Sequence, residues 1–160
     1  IIFFTNMKLD KIDKAILTEL QESGRESASN IAEKINVTVP TITERIRKLQ
    51  DGGIILGFRA ILDSSKLGLD VAAIITIISE SSKFYKQVTA AAIQTPEVVQ
   101  CFSTTGSGSH KLLISTKNSI TLEELLRKIQ SWPGVTRTET QLILSSYKNG
   151  TVLPINNNSN

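Results

Sequence analysis

Two stretches of this chain carry side chains whose types and spacing suit chemistry. In the first, Pro40, Thr41, Thr43, Glu44 and Arg47 fall on the outward side of a helical pattern. Its inward seam is Ile42, Ile46 and Leu49, at i, i+4 and i+7. Residues 34–48 hold Lys34, Arg45, Arg47 and Lys48 against Glu44 alone, whereas residues 7–33 hold four basic and six acidic groups. Positive charge therefore gathers on one helix, as it does where a protein meets a phosphate backbone. With that helix in a major groove, Pro40, Thr41, Thr43, Glu44 and Arg47 would meet base edges, Arg47 suiting guanine and Thr or Pro a thymine methyl. Arg25, Ser27, Thr38, Arg45 and Lys48 would hold phosphates. The competing reading is a merely solvated face, with Arg45, beside the apolar seam, in an internal ion pair. The second stretch is Thr104, Gly106, Ser107, Gly108, Ser109 and His110, where glycines expose backbone N–H groups among hydroxyls and can hold a small carboxylate. Its competing reading is an ordinary hairpin turn.

The inventory excludes most catalysis. The one histidine, His110, cannot supply a two-histidine metal site, so neither a metal nor a cofactor is expected. Gly106-Ser107-Gly108 is not a dinucleotide fingerprint, because Lys111 stands at the last glycine position, and no Gly-Lys-Ser/Thr or G-x-S-x-G occurs. Cys101, in an apolar strand pattern, reads as a small core residue and fits a reducing compartment. The 160 residues are 40% hydrophobic, enough for one ordinary domain or two small ones. The net charge of +3 is too small to announce nucleic acid by itself. No membrane partner is expected, since the apolar run at 71–78 stops far short of the ~20 residues a span requires.

Positioning these groups requires three short helices first. Asp10 caps a helix at about 11–23, Ser27 one that Asn36 ends, and Thr38 a third that tolerates Pro40 in its first turn and stops at Gly52-Gly53. The two-residue gap at Asn36-Val37 forces a sharp angle, as in a helix-turn-helix. At 54–62 the period shifts toward two, which reads as a linker strand. Then come a strand (71–79), a helix (82–94), strands at 98–105 and 111–116, a helix (122–132) with a Thr121/Glu124 capping box, and a strand (135–146). Thr95-Pro96-Glu97-Val98 and Trp132-Pro133-Gly134-Val135 repeat x-P-x-V at the same joint, so two βαβ halves give a ferredoxin-like βαββαβ sandwich. The last strand has two mixed faces, which suits a half-wet interface or an edge strand.

In order and spacing the chain resembles the Lrp/AsnC (feast/famine) transcription regulators. The residues that carry this are Leu9-Asp10-Lys11-Ile12-Asp13, Gly24-Arg25, Ser27, Ile31-Ala32, Ile42, Arg45-Ile46, Leu49, Gly52 through Phe58, Gly106, Leu112-Leu113 and Pro133-Gly134-Val135. The resemblance implies an α+β chain: a winged helix-turn-helix DNA reader, a linker strand and a ligand-sensing RAM-type sandwich. It further implies binding to double-stranded DNA, a homodimer assembling to a tetramer or octamer, an amino-acid effector held around Thr104 to His110, and a cytoplasmic, nucleoid-associated place in a bacterium or archaeon. Where the family often has G-x-x-D-[YF], Ser109 stands at the Asp position, so it would hydrogen-bond an ammonium group rather than pair with it. The expected divisions are a leader or vector-derived stretch (1–8), the DNA-binding domain (9–53), the linker (54–69), the sensor (70–148) and a frayed tail (149–160). The alternative function is an oligomerising small-molecule sensor without specific DNA binding.

Overall fold

The computed structural model describes residues 8–148, 150 and 152–155, so all of the expected leader but Lys8 lies outside the described residues. The chain forms two compact units, one reaching Ile61 and including the C-terminal stretch from Asn149, the other Leu62–Lys148. The first extends past the expected boundary at 53. The N–H groups of Ile54 and Ile55 both donate to the Leu49 carbonyl (2.9 and 3.0 Å), and Ile55 packs on the head's core.

The head contains α1 (Lys11–Glu22), α2 (Ala28–Ile35) and α3 (Val39–Asp51). Asp10 starts α1 with a reciprocal box: its carboxylate accepts the Asp13 N–H (2.8 Å) while that of Asp13 accepts the Asp10 N–H (3.1 Å). Ser27 caps α2 through the Asn30 N–H (3.0 Å), and Asn36 ends it in the left-handed region (φ 55°). The three helices bury Ile16, Ile31, Ala32, Ile42 and Leu49 against one another. Truncating one such fully buried Ile or Leu to Ala costs about 2–5 kcal/mol.

Among the described residues no strand lies in this unit, so the expected wing has no hairpin and the expected linker strand at 54–62 has no ladder. Extended backbone becomes a strand only when a neighbour takes its hydrogen bonds, and none does so among the described residues. The expected frayed tail is instead tied down at Leu153. The Gln21 side chain donates to the Leu153 carbonyl (3.1 Å) and accepts its N–H (2.6 Å), as a neighbouring strand would. Residues 149, 151 and 156–160 lie outside the described residues.

The second unit is a four-stranded sheet of β1 (Val71–Ser79), β2 (Val98–Ser103), β3 (His110–Thr116) and β4 (Val135–Leu142). The order is β2-β3-β1-β4 with antiparallel pairing throughout. α4 (Tyr85–Ile93) and α5 (Ser119–Gln130) complete the βαββαβ order. Alternate residues Ala73, Ile75, Ile77, Leu112 and Ile114 share a core with Val88, Ala92, Leu125, Ile129 and Trp132 of the helical layer. Cys101 packs at its margin.

Several local boundaries differ from expectation; among the strands, β2 ends at Ser103 rather than 105 and β3 begins at His110 rather than 111. α4 begins only after a 3-10 turn over Ser82–Phe84. α5 begins at Ser119 rather than 122, because Asn118 accepts the Thr121 N–H and the Thr121 hydroxyl accepts the Asn118 N–H, both at 3.0 Å. That pair, not Thr121 with Glu124, is the capping box. β4 ends at Leu142 and pairs with β1 alone, which makes it an edge strand. The Pro-Gly joint before it has a steric reason: Gly134 (φ 76°) leaves so little room that a Cβ there would lie 2.2 Å from the Phe84 ring.

Candidate functional site

The turn between α2 and α3 is built by local hydrogen bonding. Val37 N–H reaches back to the Ala32 carbonyl (3.0 Å), and Thr38 opens α3 in an extended conformation. Thr38 supplies no side-chain cap; its hydroxyl pairs with that of Thr41 at 2.8 Å. The first N–H groups of α3 therefore lack a side-chain acceptor, and the helix dipole leaves that end positive. Pro40 sits in this first turn, exposed, and the Thr43 hydroxyl turns back to the Val39 carbonyl (3.1 Å).

The charged residues of α3 divide into two sets. Arg45 reaches across to α1 and donates from Nη1 to Asp10 (2.6 Å) and Asp13 (2.8 Å), both members of the α1 capping box. These bonds push the Arg45 pKa up, while the Asp13 N–H and then Arg45 hold the Asp10 carboxyl below its ordinary range. Arg47 lies outward, held by both oxygens of Glu44 (2.9 and 3.1 Å) and by Asp51 (2.9 Å), with Lys48 also near Glu44 (3.5 Å). Glu44 is held below the usual carboxylate range, first by its hydrogen bonds from Arg47. Of the proposed phosphate contacts, Arg25 is exposed at the α1–α2 corner, and the Ser27 hydroxyl is occupied by its cap. Lys34 joins α2 to α1 through Glu19 and to Glu26 (3.4 Å).

Asp10 and Asp13 are site-shaping residues that sequence reasoning did not connect to Arg45, since they lie 35 and 32 positions away. Asp51 sits at i+4 from Arg47, a spacing that does signal pairing on a helix.

The second group lies between β2 and β3. Gly106 (φ 91°) and Gly108 (φ 81°) both adopt left-handed backbone, and a Cβ on Gly108 would lie 2.4 Å from Thr76 Cγ2 and 2.8 Å from the Ile77 carbonyl oxygen. That close approach lets Ser109 N–H donate to the Ile77 carbonyl (2.8 Å), closing the loop onto β1. Ser109 and His110 are consequently buried, at 8% and 1% exposure. The Ser109 hydroxyl bonds His110 Nδ1 (2.9 Å), and the Tyr85 ring meets the imidazole edge-on at 4.9 Å. Burial lowers the His110 pKa, favouring neutral imidazole. Gly106 and Ser107 stay exposed, and the Thr104 hydroxyl is buried with no partner among the described residues. Residues 104–110 are thus brought together, but in two layers: Ser109 and His110 inside, Gly106 and Ser107 outside. Among the described residues no group of His, Cys, Asp and Glu could hold a metal ion, and no helix is long and apolar enough to cross a membrane.

Residues 9–50 match the AsnC-type helix-turn-helix domain, and residues 72–153 match the Lrp/AsnC ligand binding domain. The chain is 39% identical over 147 residues to the HTH-type transcriptional regulator FL11 of Pyrococcus horikoshii, covering 92% of this chain and 97% of that one. The DNA-binding transcriptional activator DecR of Escherichia coli is 29% identical, with 92% and 99% covered. Among solved structures, E. coli AsnC superposes with a TM-score of 0.86 at 30% identity, over 92% of this chain and 99% of that one. A Neisseria meningitidis transcriptional regulator in complex with L-Met superposes at 0.89 and 27%, over 93% and 98%. These relatives are regulators rather than enzymes, and their likeness runs through both units. With its helix-turn-helix head and antiparallel α+β sandwich, the chain belongs to the Lrp/AsnC family of HTH-type transcriptional regulators.

Proposed function

We propose that this regulator reads double-stranded DNA as a homo-oligomer, with α3 in the major groove and a small amino-acid effector acting through the sandwich. The observation that carries the DNA reading is the outward set on α3: Pro40, Thr41, Thr43, Glu44 and Arg47 present one polar face while Ile42 and Leu49 anchor the other. Exposed ion pairs such as Arg47 with Glu44 and Asp51 contribute a few tenths of a kcal/mol, so a guanine edge or phosphate competes with them easily. Lys48, Arg25 and the uncapped start of α3 at Thr38 are suited to phosphates, with Ser27 beside them. Arg45 differs: bonded to Asp10 and Asp13, it fixes the angle between α3 and α1 and acts on DNA through that geometry.

Assembly as a homodimer, and as a tetramer or octamer of such dimers, is supported by the sheet face opposite the helices. Ala72, Ile74, Ile78 and Leu113 lie there, half-buried and without a covering layer among the described residues. The effector reading rests on Thr104, Gly106, Ser107 and Gly108, an unpartnered buried hydroxyl beside exposed backbone, and on the likeness to a regulator solved with L-Met. Ser109 and His110 would support that loop from beneath. DNA as target places the working protein in the cytoplasm, on the nucleoid.

Selection from a randomised duplex pool tests the reading. The expected product is a two-fold-symmetric motif with half-sites about one helical turn, ~34 Å, apart. An unenriched pool would contradict it.

A further inference from the structure

The arginines of the head fall into two pairs. Arg45 and Arg47, on α3, each hold two carboxylates. Arg25 and Arg59 make no ion pair or side-chain hydrogen bond among the described residues. Both line one cleft of about 480 Å³ within the head, and its lining contains no Asp or Glu. Local packing explains how two distant positions meet. The Phe58 ring lies against Gly24, its Cδ1 atom 3.7 Å from where a Cβ on that glycine would stand. Glycine at the α1–α2 corner makes room for the ring, and the residue after Phe58 is thereby carried to the residue after Gly24.

Two guanidinium groups on one cleft without a carboxylate repel each other, and an anion from outside relieves the repulsion. Their planar forks suit phosphate oxygens in particular. Place in the fold indicates which phosphate. Arg25 stands two residues before Ser27, the N-cap of α2, and in a helix-turn-helix the helix ahead of the recognition helix crosses the sugar-phosphate backbone. Arg59 belongs to the run that leaves α3 through Gly52-Gly53, where a wing is expected from the sequence. We propose that Arg59 is a DNA contact outside the helix-turn-helix and that, with Arg25, it grips a backbone phosphate of the duplex. The extended run then does what a hairpin wing would do. This rests on the DNA reading of α3 and adds to it a contact that carries affinity without reading sequence.

The test is fluorescence-anisotropy titration of the intact protein with a selected duplex and with a scrambled duplex of the same length, over a series of salt concentrations. Arg59→Ala weakens binding to both duplexes by the same factor, about three- to tenfold at the lowest salt. It also lowers the slope of log affinity against log salt by about one. Arg25→Ala gives the same signature, and Arg59→Lys, which keeps the charge, restores most of the slope. Arg47→Ala differs from all of these by changing the preference between the duplexes. Both Arg25 and Arg59 are exposed, so thermal unfolding of their variants stays at the wild-type temperature. A wild type that binds neither duplex overturns the DNA reading and this inference with it. A wild type that binds, matched by Arg59→Ala in affinity and slope, overturns this inference alone. So does a loss confined to the selected duplex, which would make Arg59 a base contact.

Discussion

The charges of α3 and those around a cleft between the end of β3 and α5 are arranged in opposite ways. On α3 the two arginines are neutralised inside the chain, Arg45 by Asp10 and Asp13 and Arg47 by Glu44 and Asp51. Around the cleft, Glu97, Lys117, Glu124 and Lys128 alternate in sign without touching. The difference follows from spacing: Glu44 and Asp51 lie three and four positions from Arg47 on one helix, whereas Glu97 and Lys117 come from separate segments. A recognition helix needs long side chains held in an extended pose on a rigid face, and exchangeable surface pairs do that at little cost to later binding.

The largest stability change that breaks this comparison should come from Arg45. Arg45→Met removes the partner of two carboxylates, one of them largely buried, and should cost the head about 2 kcal/mol, several degrees in thermal unfolding. The head should also be acid-sensitive. Asp10's folded pKa is depressed, so its contribution is complete above the ordinary value of roughly 4 and is lost as pH falls through the folded one. Equilibrium unfolding followed from pH 7 to 3 reports this, and the slope should flatten in Arg45→Met.

Next in size is the sandwich's response to His110. Its folded pKa is also lowered, so protonation favours the unfolded chain, and stability should decline as pH drops from roughly 6.5 toward the folded value. His110→Gln should abolish that slope in the same measurement. Gln21→Ala should cost about 1 kcal/mol in the head by releasing Leu153, as seen by faster amide exchange at Leu153. Smallest of all, Lys128→Ala should leave stability within about 0.5 kcal/mol, since it removes no pair.

The amino-acid sequence carried the architecture well because hydrophobic period, caps and the two x-P-x-V joints act locally. Lys11 and Val71 begin their elements where the pattern places them. Contacts distant along the chain were not readable in this way. Nothing local ties Arg45 to Asp10, or Gln21 to Leu153, because fold geometry brings those pairs together. Ser109 and His110 misled for a related reason: a polar Gly-Ser-His run reads as exposed loop, yet the close approach of Gly108 to β1 drives its last two residues inside. The linker run at 54–62 shows the converse, an alternating pattern that finds no strand partner among the described residues.

The central claim is that the outward face of α3 reads DNA, and a salt-dependent titration of a selected duplex with wild type and Arg47→Ala tests it most directly. The variant should fold with unchanged stability and bind about ten- to a hundredfold more weakly to the selected site, with relaxed preference at one base pair, while wild-type affinity falls steeply with salt. Affinity indifferent to both the substitution and the salt concentration would contradict the account.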